Sequence, residues 1–251
     1  MTIRVAVVGA TGKMGRLAVR LIDEADDLAL AAALDSRSEL GEMDGADVVF
    51  DVTSPASSPA IVQHAVEAGI PVVVGTSGWT RERIAGVEPL VKARLEAGER
   101  AAVLFVPNFS VGSVLATAFA RAAAPFFASI EIIEAHHAGK TDSPSGTAIR
   151  TAELIGEARA EIGPVAAPHA DQRARGQLVA GVPVHSLRMD GLVARQEVVL
   201  GGDGETLTLA HTTISESSYV AGILTALRAA PGASGVSVGL DALLDLGLGS
   251  R

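Results

Sequence analysis

The chain of 251 residues contains no cysteine. That absence excludes a disulfide framework, a thiolate nucleophile and any zinc site built on cysteine. Aromatic residues make up only 3% of the sequence, too few for a platform on which nucleic-acid bases stack. Positive charge is scarce as well. Twenty Lys and Arg face 29 Asp and Glu, and the formal net charge of −9 opposes a phosphate-backbone partner. No apolar run approaches bilayer-spanning length, and nothing here resembles a secretory leader, since a strand is expected from Ile3. The expectation is a soluble, cytoplasmic protein with neither nucleic acid nor membrane as partner. What the chain does have is a hydrophobic fraction of 48% and 27 glycines, enough for one large or two modest domains with real cores.

The first half alternates strand and helix patterns, which predicts a right-handed parallel α/β domain. Ile3–Gly15 reads IRVAVVGATGKMG. Its continuous apolar run suits a strand buried on both faces, and Gly9, Gly12 and Gly15 then open the helical pattern Met14–Ala25. Glycines at such a turn let a pyrophosphate approach helix-start amides closely. The spacing is GxxGxxG rather than GxGxxG, so the context matters. A second apolar run, Leu28–Leu34, ends at Asp35, where an acid binds the adenosine ribose. A carboxylate there favours NADH, whereas Lys13 and Arg37 offset its repulsion of a 2′-phosphate, so both NADH and NADPH are expected. Strands over Asp47–Ser54, Ile70–Val74 and Ala101–Val106 follow, with helices over Ser58–Ala68 and Thr80–Ala97, the latter weakened at Gly86 and Pro89. Gly75-Thr76-Ser77-Gly78 falls at a strand's carboxyl end, where a doubly wound sheet binds its ligand. Trp79, the only tryptophan, reads as a packing residue.

After Ser110 the pattern changes. An Ala-rich helix over Val111–Ala124 leads to a strand at Ser129–Ala135, then to Ile133–Ala148, IEAHHAGKTDSPSGTA, and a helix over Thr147–Ala158. Ser145 is a good N-cap, so the amides of Gly146, Thr147 and Ala148 are expected to point unpaired into the loop. Free amides beside a Lys and two His form a site for a small anion such as a carboxylate. If the strand persists through the histidine pair, His136 and His137 face opposite ways and hold different jobs. Gly163–Gly181 reads as a long connection. Val184–Asp190, Val193–Leu200 and Glu205–Thr212 read as strands, the last two joined at Gly201-Gly202-Asp203-Gly204 in a hairpin. Ser218–Ala229 is a last helix. The expected architecture is a Rossmann-like parallel-sheet dinucleotide-binding domain (1–106, with 214–251 packing back on it) and a second α+β domain with a mixed or antiparallel sheet (107–213). His64, His169, His185 and His211 stand alone in sequence and read as structural or solvent-facing.

The stretch EAHHAGKTDSPSGTA is very similar to the signature of the bacterial dihydrodipicolinate reductases, of the diaminopimelate route to lysine. The resemblance extends through VAVVGATGKMG, VVVGTSGW, VPNFSVG and GLVARQEVVLGGDGETLTLAHTT, nearly the whole chain. It implies reduction of 4-hydroxy-tetrahydrodipicolinate to tetrahydrodipicolinate by NADH or NADPH. It implies that Gly9, Ala10, Thr11, Gly12, Lys13, Met14, Asp35, Gly75, Thr76, Ser77, Val106, Pro107, Asn108 and Phe109 contact the cofactor. It implies that His136 and Lys140 are catalytic, that His137, Lys140, Gly146 and Thr147, next to the cap Ser145, hold a cyclic dicarboxylate, and that no metal takes part. It also implies a homotetramer whose second-domain sheets associate.

The chemistry fits the local reading. Hydride reduces a conjugated carbon–nitrogen system, and the enamine-like product then needs a proton on carbon, which a histidine can supply near neutral pH. His136 is the best-placed donor. Lys140 can anchor a carboxylate or assist loss of the 4-hydroxyl group. Two rivals remain at this level: a metal-dependent hydrolase using His136, His137 and Asp142, which leaves the glycine turn unexplained, and a nucleotide-sensing regulator, which leaves the His-Lys-helix cluster unexplained.

Overall fold

The run Val5–Val8 is almost wholly buried, which is why this segment becomes an interior strand of a parallel sheet. The computed structural model describes residues 2–244. Two compact units emerge, one from 2–109 with 219–244 and the other from 110–218. The part of the tail at 245–251, expected to return to the first domain, lies outside the described residues.

The first unit holds a six-stranded sheet of β1 (Ile3–Val8), β2 (Leu28–Leu34), β3 (Val48–Asp51), β4 (Val72–Val74), β5 (Ala102–Phe105) and β11 (Gly235–Val238). Their spatial order is β11-β5-β4-β3-β1-β2, and every pairing is parallel. The chain runs outward from β1 to β2 and then crosses back to β3, so the switch point lies between β1 and β3. Helix α1 (Lys13–Glu24) buries Leu17, Ala18, Leu21 and Ile22, the three-and-four spacing of one helix face. Helices α2 (Ser58–Glu67) and α3 (Arg81–Glu96) follow in the same unit. Helix α3 passes unbroken through Gly86 and Pro89, contrary to the expected weak point. Its core anchor Val91 is 1% exposed, so packing outweighs the local cost of proline. The described part of the tail adds α6 (Val220–Ala229) and strand β11, a strand too short and Gly-flanked to stand out in sequence.

The second unit packs α4 (Val111–Ala123) and α5 (Gly146–Ala158) on one face of a five-stranded sheet. Its strands are β6 (Ser129–His136), β7 (Gln177–Val179), β8 (Val182–Arg188), β9 (Ala194–Gly202) and β10 (Glu205–Thr213), ordered β10-β9-β6-β8-β7. Only β6 and β8 run parallel, so the sheet is mixed. Ile130, Ile132, Val184, Val198 and Leu200 point to the helices, where Ala148, Ala152 and Ile155 of α5 meet them. The expected long connection at 163–181 is corrected: it contains edge strand β7, whose three residues give too short a pattern to read.

Candidate active site

In the first unit, the expected cofactor residues fall at the carboxyl ends of parallel strands. Gly9, Ala10, Thr11 and Gly12 make the turn after β1, and Lys13 and Met14 open α1. Gly9 has φ +89°, and a Cβ there would lie 2.7 Å from the Val52 carbonyl oxygen beyond β3. A Cβ on Gly15 would lie 2.1 Å from the Gly9 carbonyl oxygen. Both positions therefore require glycine, and the turn is pressed into the switch point. Gly12 caps α1 with no side-chain bond, which suits an anionic group at the helix start. Asp35 directly follows β2. Its oxygens accept from the Arg37 backbone N–H at 2.8 Å and from Arg37 Nη2 at 3.1 Å. These bonds, the backbone one foremost, hold its carboxyl below the usual range. Gly75, Thr76 and Ser77 follow β4, and Val106, Pro107, Asn108 and Phe109 follow β5. Phe109 is buried edge-on against Phe50, with ring centroids 5.5 Å apart.

One residue behind these loops escaped the sequence reading. Asp51, fully buried at the end of β3, accepts from the Thr53 backbone N–H at 3.1 Å, Thr53 Oγ1 at 2.6 Å and Thr76 Oγ1 at 3.0 Å. It also accepts from the Ser58 hydroxyl, which in turn accepts from Trp79 Nε1 at 2.8 Å. Trp79 thus packs, 4.7 Å from the Phe105 ring, as expected, but with a polar duty as well. A buried carboxylate so bonded knits the loops after β3 and β4 together.

In the second unit, His136 is the last residue of β6, and His137 lies just outside it. Strand alternation therefore stops one residue short, and His137 owes its direction to the loop. Lys140 donates its backbone N–H to the His137 carbonyl at 3.1 Å, and its Nζ lies 2.7 Å from Asp142 Oδ1. Burial pushes the Asp142 carboxyl up, and Lys140 more than offsets it, leaving the group below its ordinary range. Ser145 caps α5 as expected, its Oγ accepting from the Ala148 N–H at 3.3 Å. The expectation of three unpaired amides is corrected accordingly: the cap uses that of Ala148, the third position of the helix. Gly146 and Thr147 open α5 beside it.

Behind His136 stand two residues that the sequence reading also left out. Glu134 Oε2 lies 2.6 Å from His136 Nδ1, and its side chain is 0% exposed. Arg188 donates to both Glu134 oxygens, at 2.9 and 2.8 Å, and to the Asp142 carbonyl at 2.6 Å. The spacing of two along β6 was the available signal for Glu134. Arg188 had none, because nothing in the sequence says that β6 pairs with β8. Burial is the largest influence on His136 and pushes its pKa below the ordinary 6.5; Glu134 opposes this, and Lys140 and Arg188 reinforce it. Three of the four histidines that stand alone in sequence have partners in space: His64 meets Asp44 at 2.9 Å, His185 meets Glu131 at 2.7 Å, and His211 meets Ser110 at 3.1 Å. Among the described residues no group of three or more His, Asp or Glu could hold a metal ion.

A parallel dinucleotide fold with a glycine-pinched turn, joined to a unit that sets a histidine beside a lysine and a capped helix start, defines a nicotinamide-dependent reductase. The family model for the dihydrodipicolinate reductase N-terminus matches residues 3–109, and that for the C-terminus matches 112–244. The chain belongs to the dihydrodipicolinate reductase family. It is similar to 4-hydroxy-tetrahydrodipicolinate reductase of Clavibacter sepedonicus, 59% identical over 100% of this chain and 89% of the relative. The enzyme of that name from Streptomyces coelicolor is 46% identical over 97% of this chain and 98% of its own. A solved structure of dipicolinate-bound dihydrodipicolinate reductase from Paenisporosarcina sp. TG-14 superposes with a TM-score of 0.81 at 31% identity, covering 97% of this chain and 100% of that one.

Proposed function

We infer that this chain catalyses the NAD(P)H-dependent reduction of 4-hydroxy-tetrahydrodipicolinate to tetrahydrodipicolinate in the diaminopimelate route to lysine. The family match along both units supports this reaction. The dinucleotide, when bound, supplies a hydride. The pinched turn at 9–12, the start of α1 and Asp35 suit its pyrophosphate and ribose, and the loops at 75–77 and 106–109 complete its contacts. We assign the unit of 2–109 with 219–244 to dinucleotide binding, and that of 110–218 to substrate binding and oligomerisation.

The observation that carries the residue-level reading is the gathering of His136, Lys140 and the start of α5 at one end of the second sheet. The substrate is a small cyclic dicarboxylate. Its carboxylates take Lys140, His137 and the amides of Gly146 and Thr147, with Ser145 holding the helix start in place. The Paenisporosarcina relative was solved with dipicolinate, a dicarboxylate of the same outline, which supports an anion site of this kind. Lys140 helps the 4-hydroxyl leave together with a hydrogen of the adjacent carbon, as water; hydride then adds to the conjugated system, and His136 gives its proton to the carbon left electron-rich. Absorbance loss of NADPH, with substrate freshly made from pyruvate and aspartate semialdehyde, is the direct test. No oxidation above the substrate-free rate would refute the reading.

No helix among the described residues is long and apolar enough to cross a membrane, and we place the enzyme in the cytoplasm. We also propose a homotetramer. The sheet face turned away from α4 and α5 carries Leu178 and Leu187, 48% and 43% exposed, with Ile133 in register between strands. Partly apolar sheet faces of this kind favour cover by another copy. Light scattering at micromolar concentration should return four chain masses, and a monomer mass would overturn the assembly.

A further inference from the structure

The second sheet places one acid at the meeting point of three parts of the site. Glu134 is fully buried on the face of β6 that α5 covers, and each of its oxygens is engaged twice. Oε2 meets His136 Nδ1 at 2.6 Å and Arg188 Nη1 at 2.9 Å. Oε1 accepts from Arg188 Nη2 at 2.8 Å and from the backbone N–H of Ser145 at 3.2 Å. Ser145 is the residue that caps α5, and Arg188 also holds the carbonyl of Asp142. One carboxylate thereby touches the histidine, the cap of the substrate helix and the arginine that pins the intervening loop.

Its ionisation follows from those partners. Burial pushes the Glu134 carboxyl up, but hydrogen bonds from Arg188, Ser186 and His136 outweigh it and leave it below the ordinary glutamate range. An ionised carboxylate has only acceptor positions, so the ring nitrogen facing it must carry a hydrogen. That settles how the imidazole is used. With Nδ1–H given to Glu134, neutral His136 has its lone pair on Nε2, and protonated His136 has its transferable proton there.

We propose that Glu134, clamped by Arg188, is a positioning residue for proton transfer: it fixes His136 in the Nδ1–H form, so that Nε2 alone delivers the proton to the substrate carbon. This rests on the reading of His136 as proton donor. The proton leaves Nε2 for carbon, the positive charge on the ring is lost, and Nδ1–H stays on Glu134, so no proton passes to the carboxylate. The groups facing the ring are few. Glu134 lies on its own strand, Arg188 is its register partner on β8, Ala194 is its partner on β9, and Lys140 comes from the loop. Glu134 is the only anion among them and stabilises the charged ring against the two cations.

The amide in Glu134→Gln must place its NH2 group on one of two oxygens, and Arg188 donates to both. Facing Nδ1, that NH2 reverses the tautomer and removes the anion beside the ring. The expected result is a turnover number lowered by roughly tenfold to a hundredfold, with cofactor affinity unchanged, and a loss of activity with rising pH that begins at lower pH than in the parent. Glu134→Asp should recover part of the turnover. A Glu134→Gln enzyme with full turnover and an unchanged pH profile overturns the positioning role, and a His136→Gln enzyme with full turnover overturns the donor reading itself. Nitrogen NMR of the parent protein, with the His136 signals assigned by their absence in His136→Gln, decides the matter even where Glu134 variants do not fold. Neutral His136 should show the hydrogen on Nδ1, and a hydrogen on Nε2 would refute the proposal.

Discussion

The two candidate sites, one in each unit, are built from different materials. The first unit offers backbone: a turn too tight for any side chain at Gly9 or Gly15, an uncapped helix start, and one carboxylate already answered by Arg37. The second unit offers side chains: Glu134 lies within direct hydrogen-bond distance of both His136 and Arg188, and Lys140 pairs with Asp142 nearby. A cofactor that serves many reactions needs only shape and a fixed dipole, which backbone provides at little electrostatic cost. Proton transfer needs a titrating group whose charge is set by its surroundings, and that requires buried ions held in place. Removing one partner of such a buried pair typically costs ~3–5 kcal/mol, so the second unit accepts a stability risk that the first avoids.

The largest expected effect breaks the second half without touching the first. His136→Gln should lower the turnover number by ~10²–10⁴-fold, the usual cost of a missing general acid, while NADH affinity measured by fluorescence stays near the parent value. His137→Gln should show more of its defect at low substrate, as a lost carboxylate contact does when it binds ground and transition states alike, and Lys140→Ala should combine both. Near-normal turnover in the His136 variant would require the proton to come from elsewhere.

That contrast also decided what could be read from sequence. Strand and helix positions were legible almost throughout, because β1, β2 and α1 carry long, regular apolar patterns. The glycine turn and Asp35 were legible because backbone sites advertise themselves by spacing, and His136, Lys140 and Ser145 because rare residue types cluster within ten positions. What stayed hidden depends on pairing between distant strands. Arg188 reaches Glu134 only because β8 lies beside β6, 54 residues away in sequence, and β7 and β11 are too short for any periodicity to show. Asp51 lay within the expected strand Asp47–Ser54 with nothing to single it out; its role appears only when Thr76, from another loop, donates to it.

A smaller effect sharpens the first half. Asp35→Ala removes the acid proposed to meet the ribose but also frees Arg37, whose side chain is 88% exposed. A hydrogen bond to a charged group contributes roughly 1.5–3 kcal/mol, about tenfold to a hundredfold in affinity. NADH binding should weaken by about that factor, whereas NADPH should lose far less, because the released Arg37 can meet a 2′-phosphate. The parent enzyme should turn over both. Equal losses for the two cofactors in direct titrations would show that Asp35 does not face the ribose.

The smallest expected effect is a displacement between two pH profiles, and it exposes the burial of the second half. The folded pKa of His136 lies below its ordinary 6.5 because burial and the cations Lys140 and Arg188 outweigh Glu134. As pH rises through that folded value the donor loses its proton, so kcat/KM should fall with rising pH, starting below 6.5. A bound dicarboxylate adds negative charge beside the ring and favours its protonated form, so kcat should fall at higher pH than kcat/KM. Stability runs the other way. Between the folded value and 6.5 the unfolded chain binds more protons at this site than the folded one, so folding weakens as pH drops through that window. His211, also held below 6.5 by burial, contributes with the same sign. Glu134 and Asp142, whose folded values are depressed, withdraw their stabilisation only further down, as pH falls through the carboxylate range. Steady-state rates and melting temperatures recorded together from about pH 5 to 8, the span in which histidine changes charge, should therefore move in opposite directions on the acid side. Coincident limbs for kcat and kcat/KM would mean that the substrate's carboxylates do not sit near His136, and the division of labour within this half would have to be reassigned.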